Sequence, residues 1–214
     1  MPNDTRGVSG HIRQHLIGSL QYAPLATRPD ISFAISKLAQ FLVNPGRIHL
    51  EADLRILRYL KGTKEWSLNL GGEVADIAGF TDSGWGDQDD RKSISVNVFR
   101  MGQGDMSWKT KKQTSVALSS VETEYMAMCQ AAKEALWLTG LLEHFRLDLW
   151  SPLVLRGDNQ GALALTENPV FRPRSKHIAL QYHFTRSLVQ AGQLIVKYIC
   201  RKWTFQSSSM PCYV

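Results

Sequence analysis

Three carboxylates carry the chemistry that this sequence could do. Asp82 closes the apolar run "IAGFTD", Asp158 closes "PLVLRGD", and Glu124 lies in the stretch "LSSVETEYMAMCQAA". In an open α/β sheet, ligands bind outside the carboxyl ends of the strands, so an aspartate at a strand end is well placed for catalysis. If those two strands are neighbours, Asp82 and Asp158 meet. Carboxylates a few ångströms apart repel unless a cation neutralises them, and a divalent metal held by oxygen ligands is the economical explanation. Spacing alone leaves a second reading open, in which both aspartates are ordinary loop residues.

Ser119 followed by Glu122 fits a capping box, which gives Glu122 a structural explanation. Glu124 lies beyond that cap, one position before Tyr125 and beside the stripe formed with Met128 and Ala132. A carboxylate there is unfavourable unless it is paired or metal-bound. The alternative is a glutamate turned to solvent or paired with a lysine.

The formal net charge of +6 and pI near 9.3 permit a polyanionic partner. Residues 91–113 carry Arg91, Lys92, Arg100, Lys109, Lys111 and Lys112 against Asp105 alone, and no acidic residue follows Glu167. Lys109, Lys111 and Lys112, near Trp108, are candidates for sequence-independent, salt-sensitive phosphate contacts, as are Arg172, Arg174 and Lys176 of "RPRSKHI". The alternatives are a solvated hairpin edge, whose lysines discourage aggregation, and a plain charged loop. His177 suits either a proton shuttle or a surface cap, and Arg55, Arg58 and Lys61 either a nucleic-acid face or a solvated one. Cys129, Cys200 and Cys212 are an odd number without paired spacing, which suggests neither a disulfide framework nor a zinc site. No apolar run approaches the roughly 18 to 20 residues that span a bilayer, and "MPNDTRGVSGHIRQ" lacks the apolar stretch of a secretory signal. The expectation is an intracellular protein of cytoplasm or nucleus, not secreted and without a membrane partner.

Particular elements must position these groups. "DISFAISKLAQFLV" and "HLEADLRILRYLKG" read as amphipathic helices, the second with Leu50, Leu54 and Leu57 on one stripe and Ile56 and Leu60 beside it. From about residue 66, "WSLNLGG" and "IAGFTD" look like short strands, and "SISVNVFRM" alternates as a half-buried strand with "DMSWKTKKQ" as its hairpin partner across "GQG". A long helix from about Ser120 to Phe145 follows, then the strand "PLVLRGDN", the helices "QGALALTE" and "SKHIALQYHFTRSLVQAG", and the strand "QLIVKYI". The fold class is α/β: three antiparallel strands, then parallel strands joined by helical crossovers, preceded by a small helical segment. The domains are residues 1–65, 66–200 and an aperiodic tail, 201–214.

At this level the sequence resembles a known family. "TRPDISFAISKLAQFLVNPGRIHLEADLRILRYLKGT", "GFTDSGWGDQDDRKSISVNVF", "SWKTKKQTSVALSSVETEYMAMCQAAKEALWL" and "GDNQGALALTENPVFRPRSKHI" together resemble the carboxyl-terminal end of a copia-type retrotransposon polyprotein. The first resembles the connection from reverse transcriptase to its nuclease, and the others resemble the ribonuclease H domain. The resemblance implies a ribonuclease H fold and endonucleolytic hydrolysis of the RNA strand of an RNA/DNA hybrid. It matches Asp82 to the first catalytic aspartate, Glu124 to the helix glutamate, read here in "EYMA", and Asp158 to the aspartate of "DNQ". It implies two-metal hydrolysis with Mg2+, or Mn2+, held by those three groups. The implied partners are the hybrid and the reverse transcriptase part of the same polyprotein.

The resemblance also marks departures. Ribonuclease H domains of this family carry a fourth carboxylate after the last strand, where this chain continues "CRKWTFQSSSMPCYV", which reads as a truncated or frame-disrupted end. Gly84 stands where the family has a second acidic residue, and Ala179 stands where "KHID" ends in aspartate. No paired-aspartate polymerase motif precedes the helical segment, so no DNA synthesis is expected. The alternative to an enzyme is therefore an impaired retroelement remnant that at most binds nucleic acid.

Overall fold

The computed structural model describes residues 5–71, 77–86, 90–147, 152–167 and 176–200. The chain divides into two compact units, Met1–Leu68 and Asn69–Val214.

In the first unit, helices α1 (Thr5–Ala26), α2 (Ser32–Ala39) and α3 (Arg47–Gly62) surround a core of Ile17, Leu20, Ile31, Ile35, Leu38 and Ile56. Helix α1 is absent from the sequence reading. Its inward row includes Arg13, 2% exposed, ahead of Ile17 and Leu20, so a charge interrupts the apolar periodicity. Arg13 forms a buried ion pair with Asp53 of α3 and donates to the Phe41 carbonyl at 2.8 Å. Asp53 must face inward to meet it, and this turns α3 so that Asp53 and Ile56 are buried. The expected stripe through Leu54 is thereby displaced, and Leu54 is half-exposed.

The second unit is built on strands β1 (Ala78–Gly84), β2 (Ile94–Met101), β3 (Gly104–Lys112), β4 (Leu153–Gly157) and β5 (Leu194–Tyr198). Its helices are α4 (Ser120–His144), α5 (Gln160–Glu167) and α6 (Lys176–Gln190). The sheet order is β3-β2-β1-β4-β5. Strands β1, β2 and β3 pair antiparallel, and β4 runs parallel to both β1 and β5. The short β2–β3 turn bends at Gly102, whose φ of 60° suits glycine. Parallel partners instead require long connections, supplied here by α4 and by the α5–α6 pair. Helix α4 packs on β1, β2 and β4. The core gathers Phe99, Tyr125, Met128, Ala132, Leu138 and Leu155, with Tyr125 stacked on Tyr182 of α6 at 3.9 Å between ring centroids. Close packing reaches the central strand at Gly79, where a Cβ would lie 2.6 Å from the Phe99 ring and 2.9 Å from Leu155.

"WSLNLGG" is not a strand over its described part, residues 66–71. It touches the sheet at the β2–β3 turn, where the Gln103 N–H donates to the Gly71 carbonyl at 3.1 Å. One such bond is not a ladder. Residues 201–214, Arg172, Arg174, Asp87 and Asp89 lie outside the described residues. Among the described residues no helix is long and apolar enough to cross a membrane.

Candidate metal centre

The sheet register brings the two aspartates together. In the β1–β4 pair, Ala78 lies beside Val154, Gly79 beside Leu155 and Phe80 beside Arg156. The same stagger carried two residues further sets Asp158 beside Asp82. Asp158 is followed by Asn159, whose Oδ1 accepts the Ala162 N–H at 3.0 Å and so starts α5 immediately after the carboxylate. That start lies close to α4, for a Cβ on Gly161 would be 3.1 Å from Val121.

Glu124 reaches the pair from the second turn of α4. The Ser119 side chain accepts the Glu122 N–H at 3.2 Å, and the Glu122 carboxylate accepts the Leu118 N–H at 2.7 Å. The expected capping box is thus one residue wider than its standard form, in which the glutamate returns to the cap residue itself. A buried amide fixes the helix sideways. The Gln113 Nε2 donates to Ser95 Oγ at 2.9 Å and to the Thr123 carbonyl at 3.0 Å, while Thr123 Oγ1 donates back to Gln113 Oε1 at 3.2 Å. Sequence reasoning passed over Gln113 because a polar residue at the end of a basic strand reads as solvent-facing, yet it is 1% exposed.

One carboxylate oxygen from each of Asp82, Glu124 and Asp158 lies within 4.8 Å of the others. Glu124 is 8% exposed. Burial, then the Asp82 and Asp158 charges, push its carboxyl up to about 8. The Ser83 N–H, which donates to Asp82 Oδ1 at 2.8 Å and to Glu124 Oε1 at 3.3 Å, works against that rise. Among the described residues neither Asp82 nor Glu124 has a lysine or arginine partner. A buried carboxylate facing two others is disfavoured as an anion unless a cation joins them, and the oxygen-only donor set suits a hard divalent cation. The residues fit such an ion.

The predicted nucleic-acid contacts fare differently. Lys109 and Lys111 are exposed on β3. Lys112 is partly buried, and its Nζ lies 3.0 Å from Asp90. Lys176 opens α6, and its side chain, like that of His177, lies outside the described set. Arg55, Arg58 and Lys61 are exposed on α3. Cys129 is buried and Cys200 exposed, both as free thiols.

The chain is 40% identical over 200 residues to the retrovirus-related Pol polyprotein from transposon RE1 of Arabidopsis thaliana, covering 92% of this chain and 13% of that protein. The homologues of this chain are Pol polyproteins of copia-type retrotransposons. The chain spans about an eighth of the length of the RE1 Pol polyprotein. No protein-family model matches the chain. The fold of this chain is similar to the foamy viral protease-reverse transcriptase in complex with RNA/DNA hybrid. That match has a TM-score of 0.54 at 15% identity and covers 94% of this chain and 26% of the viral one. RNase H1 from Halobacterium salinarum covers 61% of this chain and 89% of its own, at 13% identity and a TM-score of 0.44. The second unit has the ribonuclease H-like fold class that its sequence led us to expect, a mixed five-stranded sheet with helices.

Proposed function

We propose that this chain is a divalent-metal-dependent ribonuclease H domain, which cuts the RNA strand of RNA/DNA hybrids internally. The observation that carries this reading is the convergence of Asp82, Glu124 and Asp158 at one end of the β1–β4 seam, with Glu124 buried and, among the described residues, without a lysine or arginine partner. In this reading all three are catalytic metal ligands, and Mg2+ or Mn2+ is the ion. A divalent ion bound there supplies the lowered water pKa and the charge neutralisation that phosphodiester hydrolysis needs. The protein's part is to present the oxygens. The two half-buried aspartates at the strand ends and the buried Glu124 would hold the ion through their carboxylate oxygens. Glu124 would bind as the carboxylate, although burial and the Asp82 and Asp158 charges push its carboxyl up to about 8 without an ion. Lys109 and Lys111 would grip backbone phosphates, with Lys112, Arg172, Arg174 and Lys176 extending the basic surface. The foamy viral neighbour was solved on an RNA/DNA hybrid, which supports the same partner here. The reverse transcriptase part of the same polyprotein is the second partner.

A second reading is favoured by one observation: residues 168–214 contain no aspartate or glutamate. The fourth carboxylate that the family carries after its last strand has no counterpart there, so the chain would bind the hybrid and cut it poorly or not at all. Incubation of the purified chain with an end-labelled RNA/DNA hybrid, in Mg2+ and separately in Mn2+, distinguishes the two. Internal cleavage that Asp82→Asn abolishes supports the enzyme. Retained binding without cleavage in either ion supports the remnant.

A further inference from the structure

We infer that Trp85, Val116 and Leu118 form a rigid apolar wall beside the carboxylates, and that it receives the sugar edge of the nucleotides flanking the bound phosphate. This rests on the nucleic-acid reading above. Three apolar side chains are left open here: Trp85 is 55% exposed, Val116 46% and Leu118 80%. They are not on a loose loop. The peptide group joining Ala117 to Leu118 is gripped at both ends, its carbonyl accepting from Trp85 Nε1 at 3.2 Å and its N–H donating to the Glu122 carboxylate at 2.7 Å. Trp85 follows Asp82 by three residues, and Glu122 precedes Glu124 by two. The grip therefore ties the exit of β1 to the entry of α4, the two segments that deliver Asp82 and Glu124.

The chemistry of the wall limits its partner. The one polar group of the indole is consumed by Ala117, so the exposed ring and the two aliphatic side chains offer only apolar and π surface. Such a surface reads no base edge and gives contact without sequence preference. In a duplex the base faces are stacked inside, and the sugars that line the minor groove beside each phosphate present C–H bonds together with, on the RNA strand, 2′-hydroxyls. A strand whose phosphate lies on the carboxylates sets those sugars next to Trp85 and Leu118. Exposed lysines Lys109 and Lys111 lie a few residues upstream on β3 and supply the opposite contact, to phosphate.

The test measures anisotropy of a dye-labelled RNA/DNA hybrid in Ca2+, for the wild-type chain, Leu118→Ser, Trp85→Ala and Trp85→Phe. Calorimetric Mn2+ titration runs in parallel. Leu118→Ser should weaken hybrid binding roughly five- to tenfold, with Mn2+ affinity unchanged, because the bond to Glu122 comes from the Leu118 backbone. Trp85→Ala should lose more, and Trp85→Phe, which keeps a ring, less than Trp85→Ala. Wild-type binding with an unaltered affinity in Leu118→Ser overturns the wall and leaves the nuclease reading standing. Failure of the wild-type chain to bind the hybrid overturns both. If Trp85→Ala proves unfolded by thermal melting, Leu118→Ser decides alone.

Discussion

The sharpest expectation concerns Glu124 in the metal-free protein. Its carboxyl rises from 4.5 to about 8 in the folded state, first through burial and then through Asp82 and Asp158. Below pH 4.5 both folded and unfolded chains hold the proton, and the residue costs nothing. Between 4.5 and 8 the unfolded chain releases it while the folded chain retains it, so stability falls as pH rises. The slope approaches about 1.4 kcal/mol per pH unit, and the whole window is worth at most about 5 kcal/mol. Counter-ions gathering at the half-buried aspartates reduce that figure. Glu124→Gln resembles the protonated glutamate at every pH and lacks the penalty. In EDTA the two proteins should melt together near pH 4.5, and the variant should melt higher by an increasing margin, about 10 °C by pH 9 for a domain of this size. Thermal melts followed by circular dichroism at intervals from pH 4.5 to 9 read this margin directly. Mn2+ at pH 8 should then raise the wild-type melting temperature more than that of Glu124→Gln. A margin that stays constant with pH would refute the argument, because it would show that Glu124 is not held as a buried acid.

Other perturbations test the scaffold. Asp53→Asn strands the Arg13 charge in the first unit and should cost about 3 to 5 kcal/mol in urea unfolding. Gly79→Ala forces a methyl group against the Phe99 ring and should cost about 2 to 3 kcal/mol, seen as a lowered melting temperature of the sheet unit. Gln113→Leu leaves the Thr123 carbonyl and Ser95 hydroxyl without their donor and should cost about 1 to 3 kcal/mol. It should also weaken Mn2+ binding in calorimetry, since Thr123 adjoins Glu124.

Much of this architecture was legible because burial and periodicity coincide in it. The alternation of β2, the apolar rows of α4 and the strand-ending aspartates each follow from one element seen alone, and the three carboxylates could be named from those elements. What escaped depended on pairs far apart in sequence. The Arg13–Asp53 ion pair hides α1 behind a buried charge and shifts the face of α3, and neither residue signals the other locally. Gln113 and Trp85 gain their roles only from the groups that α4 and its preceding loop bring to them. "WSLNLGG" has the composition of a strand, but the described sheet offers it only a turn to bond. Composition marks what can pair, not whether a partner edge is free.

The parallel pairing of β1 with β4 also has a kinetic meaning. The meander from β1 to β3 closes through short turns, whereas pairing β4 with β1 closes a span of some seventy residues that includes the whole of α4. Contacts of such high sequence separation form late and slowly. Asp158 reaches Asp82 and Glu124 only through that pairing. The juxtaposition of three carboxylates thus raises a barrier to folding in the absence of an ion. Refolding of the metal-free chain should slow as pH rises above neutrality, and divalent cations should restore its rate.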